Sequence, residues 1–217
     1  MNDILLEYAC YDEILTDVIK VNVFKALDLG AKSISVPTTH MSAVAAFIPA
    51  GITLSCPIDY PNGRSDTALR VHSVVKSVNQ GATSVDIVAS SVLFRNQKEK
   101  DFIHDLKTLK GVADEKSVTM RVMADYRKTD DGKQFRKVLE LIKAAGIEYV
   151  YCSTGCYVDD AVDNVILCNM AQKDFGLSAI ANGNIYLPKH VEAAEGANLF
   201  GVRFSKIKAM ENCVVGV

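Results

Sequence analysis

A single pattern recurs along this chain: an amphipathic segment, a glycine, one or two small residues, then a β-branched apolar run. It appears as KALDLG-AKSISV, VNQG-ATSVDIV, KAAG-IEYVYC, KDFG-LSAIA and AAEG-ANLFGVRF. Glycine just past a helix end adopts the left-handed backbone that other residues resist. A strand that starts within a few residues of it is the usual αβ connection of α/β units. The segments before the glycines have helical period: Phe135, Val138, Leu139 and Ile142 fall at i, i+3, i+4 and i+7, with Lys133, Arg136, Lys137 and Lys143 mostly opposite. The runs after them are short and apolar on both faces, as strands covered on each side by helices must be.

The pattern predicts eight strands, at 4–9, 33–38, 53–59, 84–89, 119–125, 149–153, 178–182 and 199–204. Helices are expected at 12–29, 40–49, 66–80, 94–113, 132–145, 159–175 and 188–195, with 206–212 as the eighth. Strict alternation points to an α/β chain closed into a (β/α)8 barrel, the TIM-barrel architecture. The rival is a doubly wound open sheet, but no G-x-G-x-x-G follows the first strand. At 217 residues, without a linker or low-complexity stretch, the chain is expected to be one domain, 1–217.

Composition narrows function by exclusion. The formal net charge is −2, with both signs scattered, so no global field draws the chain to nucleic acid or to an anionic membrane. No apolar run approaches the roughly 18–20 residues of a membrane helix. The acidic start MNDILLEYACYDE lacks the basic and apolar regions of a signal peptide, and a cytoplasmic location is expected. The six cysteines form no C-x-x-C pair, and Cys152 with Cys156 lacks the histidines of a zinc site. No metal and no cofactor are expected, and the thiols read as reduced and buried.

Barrel enzymes place their chemistry at the C-terminal ends of the strands. Splitting each strand by parity puts Asp86 with Val88 and Ser90, Arg121 with Met123 and Asp125, Tyr151 with Tyr149 and Ser153, and Arg203 with Gly201 and Ser205. Glu7 sits mid-strand in the first run. Glu7, Asp86, Arg121 and Arg203 sum to zero charge, so a mutually paired network inside the barrel is expected. Two readings stay open: a polar plug, or a pocket for a small anionic molecule. Barrel interiors are normally filled by Val, Ile and Leu, which favours the pocket. The loops after strands seven and eight often bind phosphate. Here they offer Asn182, Gly183 and Asn184, with Ser205 and Lys206 opposite. His72, His104 and His190 fall on helices, while His40 opens the second helix on the catalytic side.

The order and spacing of YPNG (60–63), SVDIV (84–88), AGIEYVYCSTG (145–155) and ANGNIY (181–186) resemble the deoxyribose-phosphate aldolase family over residues 12–208. That family is a (β/α)8 barrel of class I aldolases, which join or cleave acetaldehyde and a sugar phosphate through a lysine Schiff base. Asp86 matches its V-D-V-V strand, and Ser153-Thr154-Gly155 matches the end of its K-T-S-T-G strand. YPNG resembles its F-P-H-G, and Arg121 lies where a strand-five lysine is usual. The resemblance also marks departures. Tyr151 stands where the family has its Schiff-base lysine, and Ile180 where it has the second lysine of F-K-P-A-G-G-V-R. Gly183 keeps one glycine of that run and Asn184 replaces the other. Arg203 and RFSKI match R-I-G-T-S loosely, with Ser205 in place of a glycine, and Glu7 to Ala9 stand for D-H-T.

A phenol cannot form an iminium, and a Schiff base needs a primary amine of lowered pKa. Lys206 and Lys128, at the ends of strands eight and five, are the nearby substitutes. Tyr151 either acts as a general acid/base, if Arg121 or Arg203 lowers its pKa, or fills the lysine's space. The expected function is aldolase-like: a lyase on a small phosphorylated aldehyde or sugar. Asp86, Tyr151, Arg121 and Glu7 would be catalytic, and Arg203, Ser153, Gly183, Asn184, Ser205 and Lys206 would bind substrate and phosphate. The alternatives are an isomerising or enolising barrel without a Schiff base, and a non-catalytic metabolite binder. A homodimer is implied by the resemblance.

Overall fold

The structure, a computed structural model, describes residues 4–157 and 159–214. The ends of the expected domain, 1–3 and 215–217, and position 158 lie outside the described residues. Eight parallel strands close into a barrel in chain order: β1 (Leu5–Ala9), β2 (Ser33–Ser35), β3 (Thr53–Ile58), β4 (Ser84–Val88), β5 (Thr119–Met123), β6 (Tyr149–Tyr151), β7 (Ser178–Asn182) and β8 (Gly201–Phe204). The register sets Glu7 beside both Ser33 and Arg203, Asp86 beside Arg121, and Met123 beside Tyr151 and then Ile180.

Nine helices among the described residues ring the barrel: α1 (Thr16–Asp28), α2 (Thr38–Ala45), α3 (Thr67–Asn79), α4 (Ser91–Arg95), α5 (Glu99–Glu115), α6 (Gly132–Ala144), α7 (Ala161–Phe175), α8 (Pro188–Gly196) and α9 (Ile207–Val214). The stripe read from α6 is its buried face, with Phe135, Val138, Leu139 and Ile142 all covered. Asp66, Asp131 and Asp160 start α3, α6 and α7 by accepting backbone N–H groups of the first turn. Gly176, at φ 62°, ends α7 in the left-handed conformation and lets β7 begin two residues later.

Several expected elements shift by a few residues, α1 starting at Thr16, α2 ending at Ala45 and β6 at Tyr151, and two differences have a clear local cause. The helix expected over 94–113 is two helices, because Gln97 takes φ 57° and breaks the ladder between α4 and α5. Ser90 caps α4, which begins at Ser91. The strand expected over 33–38 stops at Ser35: Pro37 has no N–H for the ladder, and α2 starts directly after it. His40 therefore lies within α2, half-buried.

The outward faces of the strands and the inner faces of the helices form one large apolar core. The barrel interior is a second, smaller cluster of Val88, Met123, Tyr151 and Ile180, packed against Leu5 and Tyr60. The rest of the interior is polar, which is uncommon for a barrel and sets up the site.

Candidate active site

Strand parity and closure carry Glu7 of β1, Asp86 of β4, Arg121 of β5, Tyr151 of β6 and Arg203 of β8 to one point inside the barrel. Each is at most 3% exposed. Arg121 bridges the acids, donating from Nη1 to Glu7 Oε2 at 2.6 Å and from Nε to Asp86 Oδ1 at 2.7 Å. Arg203 bridges them again, from Nε to Glu7 and from Nη2 to Asp86. Ser33 donates to Glu7 at 2.6 Å, and Ser35 to Asp86 at 3.2 Å. Two carboxylates and two guanidiniums thus offset one another where isolated charges would be costly.

Tyr151 sits inside this cage. Its hydroxyl accepts from Arg203 Nη2 at 2.6 Å and donates to Glu7 Oε1 at 3.0 Å. The Arg203 guanidinium carbon lies 4.0 Å from the ring centroid. Arg121 and Arg203 do pull the Tyr151 pKa down, but the net lowering on which a phenolate role depends is not reached. Burial, reinforced by Asp86 and Glu7, outweighs them and pushes the phenol well above its ordinary value. Tyr151 is therefore a protonated hydrogen-bond donor and not a phenolate base. Asp86 goes the other way: despite burial, Arg121 and Arg203 hold it below the usual carboxylate range.

Above the cage stand Tyr11 and Tyr60, their ring centroids 4.8 Å apart. The Tyr11 hydroxyl accepts from Arg203 Nη1 at 2.9 Å and lies 2.8 Å from Ser35 Oγ. Both tyrosines line a cavity of about 380 Å³ over the C-terminal ends of β1 to β3, together with Asp12, Pro37, Thr38 and Asp59. A larger hollow of about 860 Å³, lined by Leu5, Lys32, Glu192 and Phe200 among others, lies at the N-terminal ends of β1 and β8. In barrels that end serves stability and the other carries chemistry.

The residues expected to bind phosphate divide into two places. Ser153, Gly183 and Asn184 converge at the ends of β6 and β7, around the buried Asp159. Ser153 donates to the Asp159 carboxylate and Asn184 to its backbone carbonyl. Asn184 has φ 54°, so the position keeps a left-handed backbone, which asparagine tolerates better than most residues. Ser205 is half-buried just after β8, and Lys206 is exposed, pairing with Asp12 at 2.7 Å. That pairing raises the Lys206 pKa. Lys128 donates to the Tyr157 hydroxyl at 2.7 Å. Among the described residues no lysine is buried.

Several neighbours were not singled out from sequence. Ser33 and Ser35 were legible as inward positions of SIS by parity. Tyr11, Tyr126, Arg127 and Asp159 lie beyond strand ends, where parity says nothing. Asp125, at the end of β5, has φ 48° and is 2% exposed, and neither carboxylate oxygen has a hydrogen-bond partner. Its pKa is raised to about 6, chiefly by burial. Among the described residues no group of three or more His, Cys, Asp or Glu side chains could hold a metal ion, and no helix is long and apolar enough to cross a membrane.

No family model matches the chain. Curated deoxyribose-phosphate aldolases do: that of Staphylococcus haemolyticus is 29% identical over 132 residues, 60% of this chain and 59% of the relative. That of Staphylococcus saprophyticus is 30% identical over 125 residues, covering 57% and 56%, and that of Aquifex aeolicus 26% over 133 residues, covering 61% and 59%. The matches thus span less than two thirds of these relatives' length. Among solved structures, an aldolase described as QR15 superposes with a TM-score of 0.87 at 20% identity, covering 98% of this chain and 95% of that one. The tetrameric deoxyribose phosphate aldolase of Aeropyrum pernix superposes with 0.85 at 16% identity, covering 97% and 88%. The chain is thus a (β/α)8 barrel that shares the fold of these aldolases and resembles the deoxyribose-phosphate aldolases over part of its sequence.

Proposed function

We propose that the chain is an aldolase-type carbon–carbon lyase that works on a small aldehyde through an enolate, without a lysine iminium. The observation that carries this reading is the Tyr151 hydroxyl, polarised between Arg203 and Glu7, at the position where the family resemblance puts the Schiff-base amine. Lys206 is a poor replacement: an ammonium stabilised by Asp12 is the opposite of the depressed amine that iminium chemistry needs.

In this reading the aldehyde enters from the cavity under Tyr11 and Tyr60, displacing the Tyr11 hydroxyl from Arg203. Its carbonyl oxygen accepts from Tyr151 and Arg203. Asp86, kept ionised by the arginines, takes a proton from the α-carbon, and the enolate oxygen stays held by Tyr151 and Arg203. The enolate carbon then bonds to the carbonyl carbon of a second aldehyde, whose oxygen takes up the proton from Asp86. Cleavage runs these steps in reverse. Donors fixed before the reaction act strongly in so dry a site. The barrel is taken as a single domain, cytoplasmic and self-associating. Likeness to the tetrameric neighbour supports the last point.

Proton exchange tests the first step without requiring a known acceptor. Acetaldehyde and propanal in D2O, followed by NMR, are expected to exchange α-protons with the wild type and to lose that exchange in Asp86→Asn. Borohydride quenching of the same mixtures should leave the intact mass unchanged. Absence of exchange with every aldehyde would overturn the enolate mechanism, and a reduced adduct on Lys206 or Lys128 would restore the iminium.

A second reading has its own observation. The four charges pair with one another without a ligand, as those of a structural plug in a metabolite-binding barrel would. Exchange activity separates the two.

A further inference from the structure

We infer that Asp159 is a built-in anion that fills the oxyanion cradle at the ends of β6 and β7, so that the barrel selects an uncharged aldehyde over a phosphorylated one. The choice of aldehyde rests on the function proposed above; the filled cradle does not.

Three donors of the kind that hold phosphate meet on the Asp159 carboxylate. Ser153 Oγ donates to Oδ2, while Tyr126 and Arg127 Nε donate to Oδ1 at 3.1 Å and 2.7 Å. Ser153 is itself oriented by the Gly155 N–H at 2.9 Å. A serine hydroxyl, a phenol and a guanidinium around one buried carboxylate form a charge-assisted anion site. The ligand in it belongs to the chain.

Space points the same way. A Cβ built on Gly183 would lie 3.2 Å from Asp159 Oδ2 and 3.3 Å from Gly155 Cα. A Cβ on Gly155 would come within 2.6 Å of Asn182 Oδ1. The two glycines let the loops close directly onto the carboxylate. A phosphate using Ser153 and the Gly183 backbone would have to overlap it. Asn184 fixes the backbone carbonyl of Asp159, so the residue is held at both ends. Charge adds to the steric exclusion, because a phosphate oxygen would meet a carboxylate of like sign.

Inorganic phosphate and glyceraldehyde 3-phosphate, titrated by calorimetry and followed by 31P NMR, test the inference without any need for turnover. Wild type is expected to show no saturable phosphate binding. Asp159→Gly, which vacates the cradle, should bind phosphate at least on the order of tenfold more tightly, and Ser153→Ala in that background should abolish the gain. If Asp159→Gly does not fold, Asp159→Ala also removes the carboxylate with a smaller change to the backbone, and it should still bind more tightly than wild type. Wild-type binding that equals the variants', or a gain that survives Ser153→Ala, would overturn it. Loss of aldehyde exchange in wild type would count against the proposed reaction and leave these titrations intact.

Discussion

Tyr151 of β6 donates its hydroxyl proton to Glu7 of β1 at 3.0 Å, across the interior of the barrel and 144 residues away in sequence. Arg203 Nη2 approaches the same oxygen from β8 at 2.6 Å, so the phenol is an internal member of an ion cage. Replacing a lysine amine by this phenol would remove a positive charge and leave the two arginines to balance the two acids.

Removing one arginine should therefore be costly. Arg203→Met strips Glu7 and Asp86 of a shared partner and is expected to lose about 3–5 kcal/mol, since a buried charge is left uncompensated. Urea denaturation at neutral pH measures it. Arg203→Lys should recover only part, because a single ammonium cannot reproduce the guanidinium fork that reaches Glu7, Asp86, Tyr151 and Tyr11.

Tyr151→Lys should install the missing amine. Between Arg121 and Arg203 a lysine is pushed toward its neutral form by burial and like charge. Borohydride in the presence of acetaldehyde is expected to give a reduced adduct mapped to position 151 in the variant alone. Tyr151→Phe should instead slow aldehyde exchange by about 10²-fold or more, the usual loss of one oxyanion donor.

Acid should weaken the fold through Asp86. Its folded pKa lies below the ordinary value of 3.8, so its contribution is present above that value and is lost as pH falls through the folded pKa. Denaturation midpoints measured below pH 4 should fall less steeply with pH in Asp86→Asn than in wild type.

Asp125 should act with the opposite sign. Its folded pKa is raised to about 6, so between about 4 and 6 the folded state binds the extra proton, and stability falls as pH rises through that window. Burial and Asp159 push it up, while Lys128 and Arg127 pull it down. The gap from the ordinary value of 3.8 corresponds to about 3 kcal/mol. Asp125→Asn should be more stable than wild type by that order at pH 7.5 and about equal to it below pH 4, by urea unfolding.

Sequence alone determined the barrel and the membership of its charged cage. Helix period and strand run length are local, and strand parity turns Glu7, Asp86, Arg121, Tyr151 and Arg203 inward once the sheet closes. The break at Gln97 and the early end of β2 were missed for a local reason: apolar spacing does not record a left-handed residue or a ladder lacking one N–H. The rest was decided by tertiary structure. Whether Tyr151 holds its proton depends on the balance of desolvation against two arginines and two acids from four other strands. Whether Ser153 and Gly183 face a ligand or a carboxylate depends on where the loop carrying Asp159 closes. Parity stops at the end of a strand, and beyond it a side chain's direction follows from its contacts with distant parts of the chain.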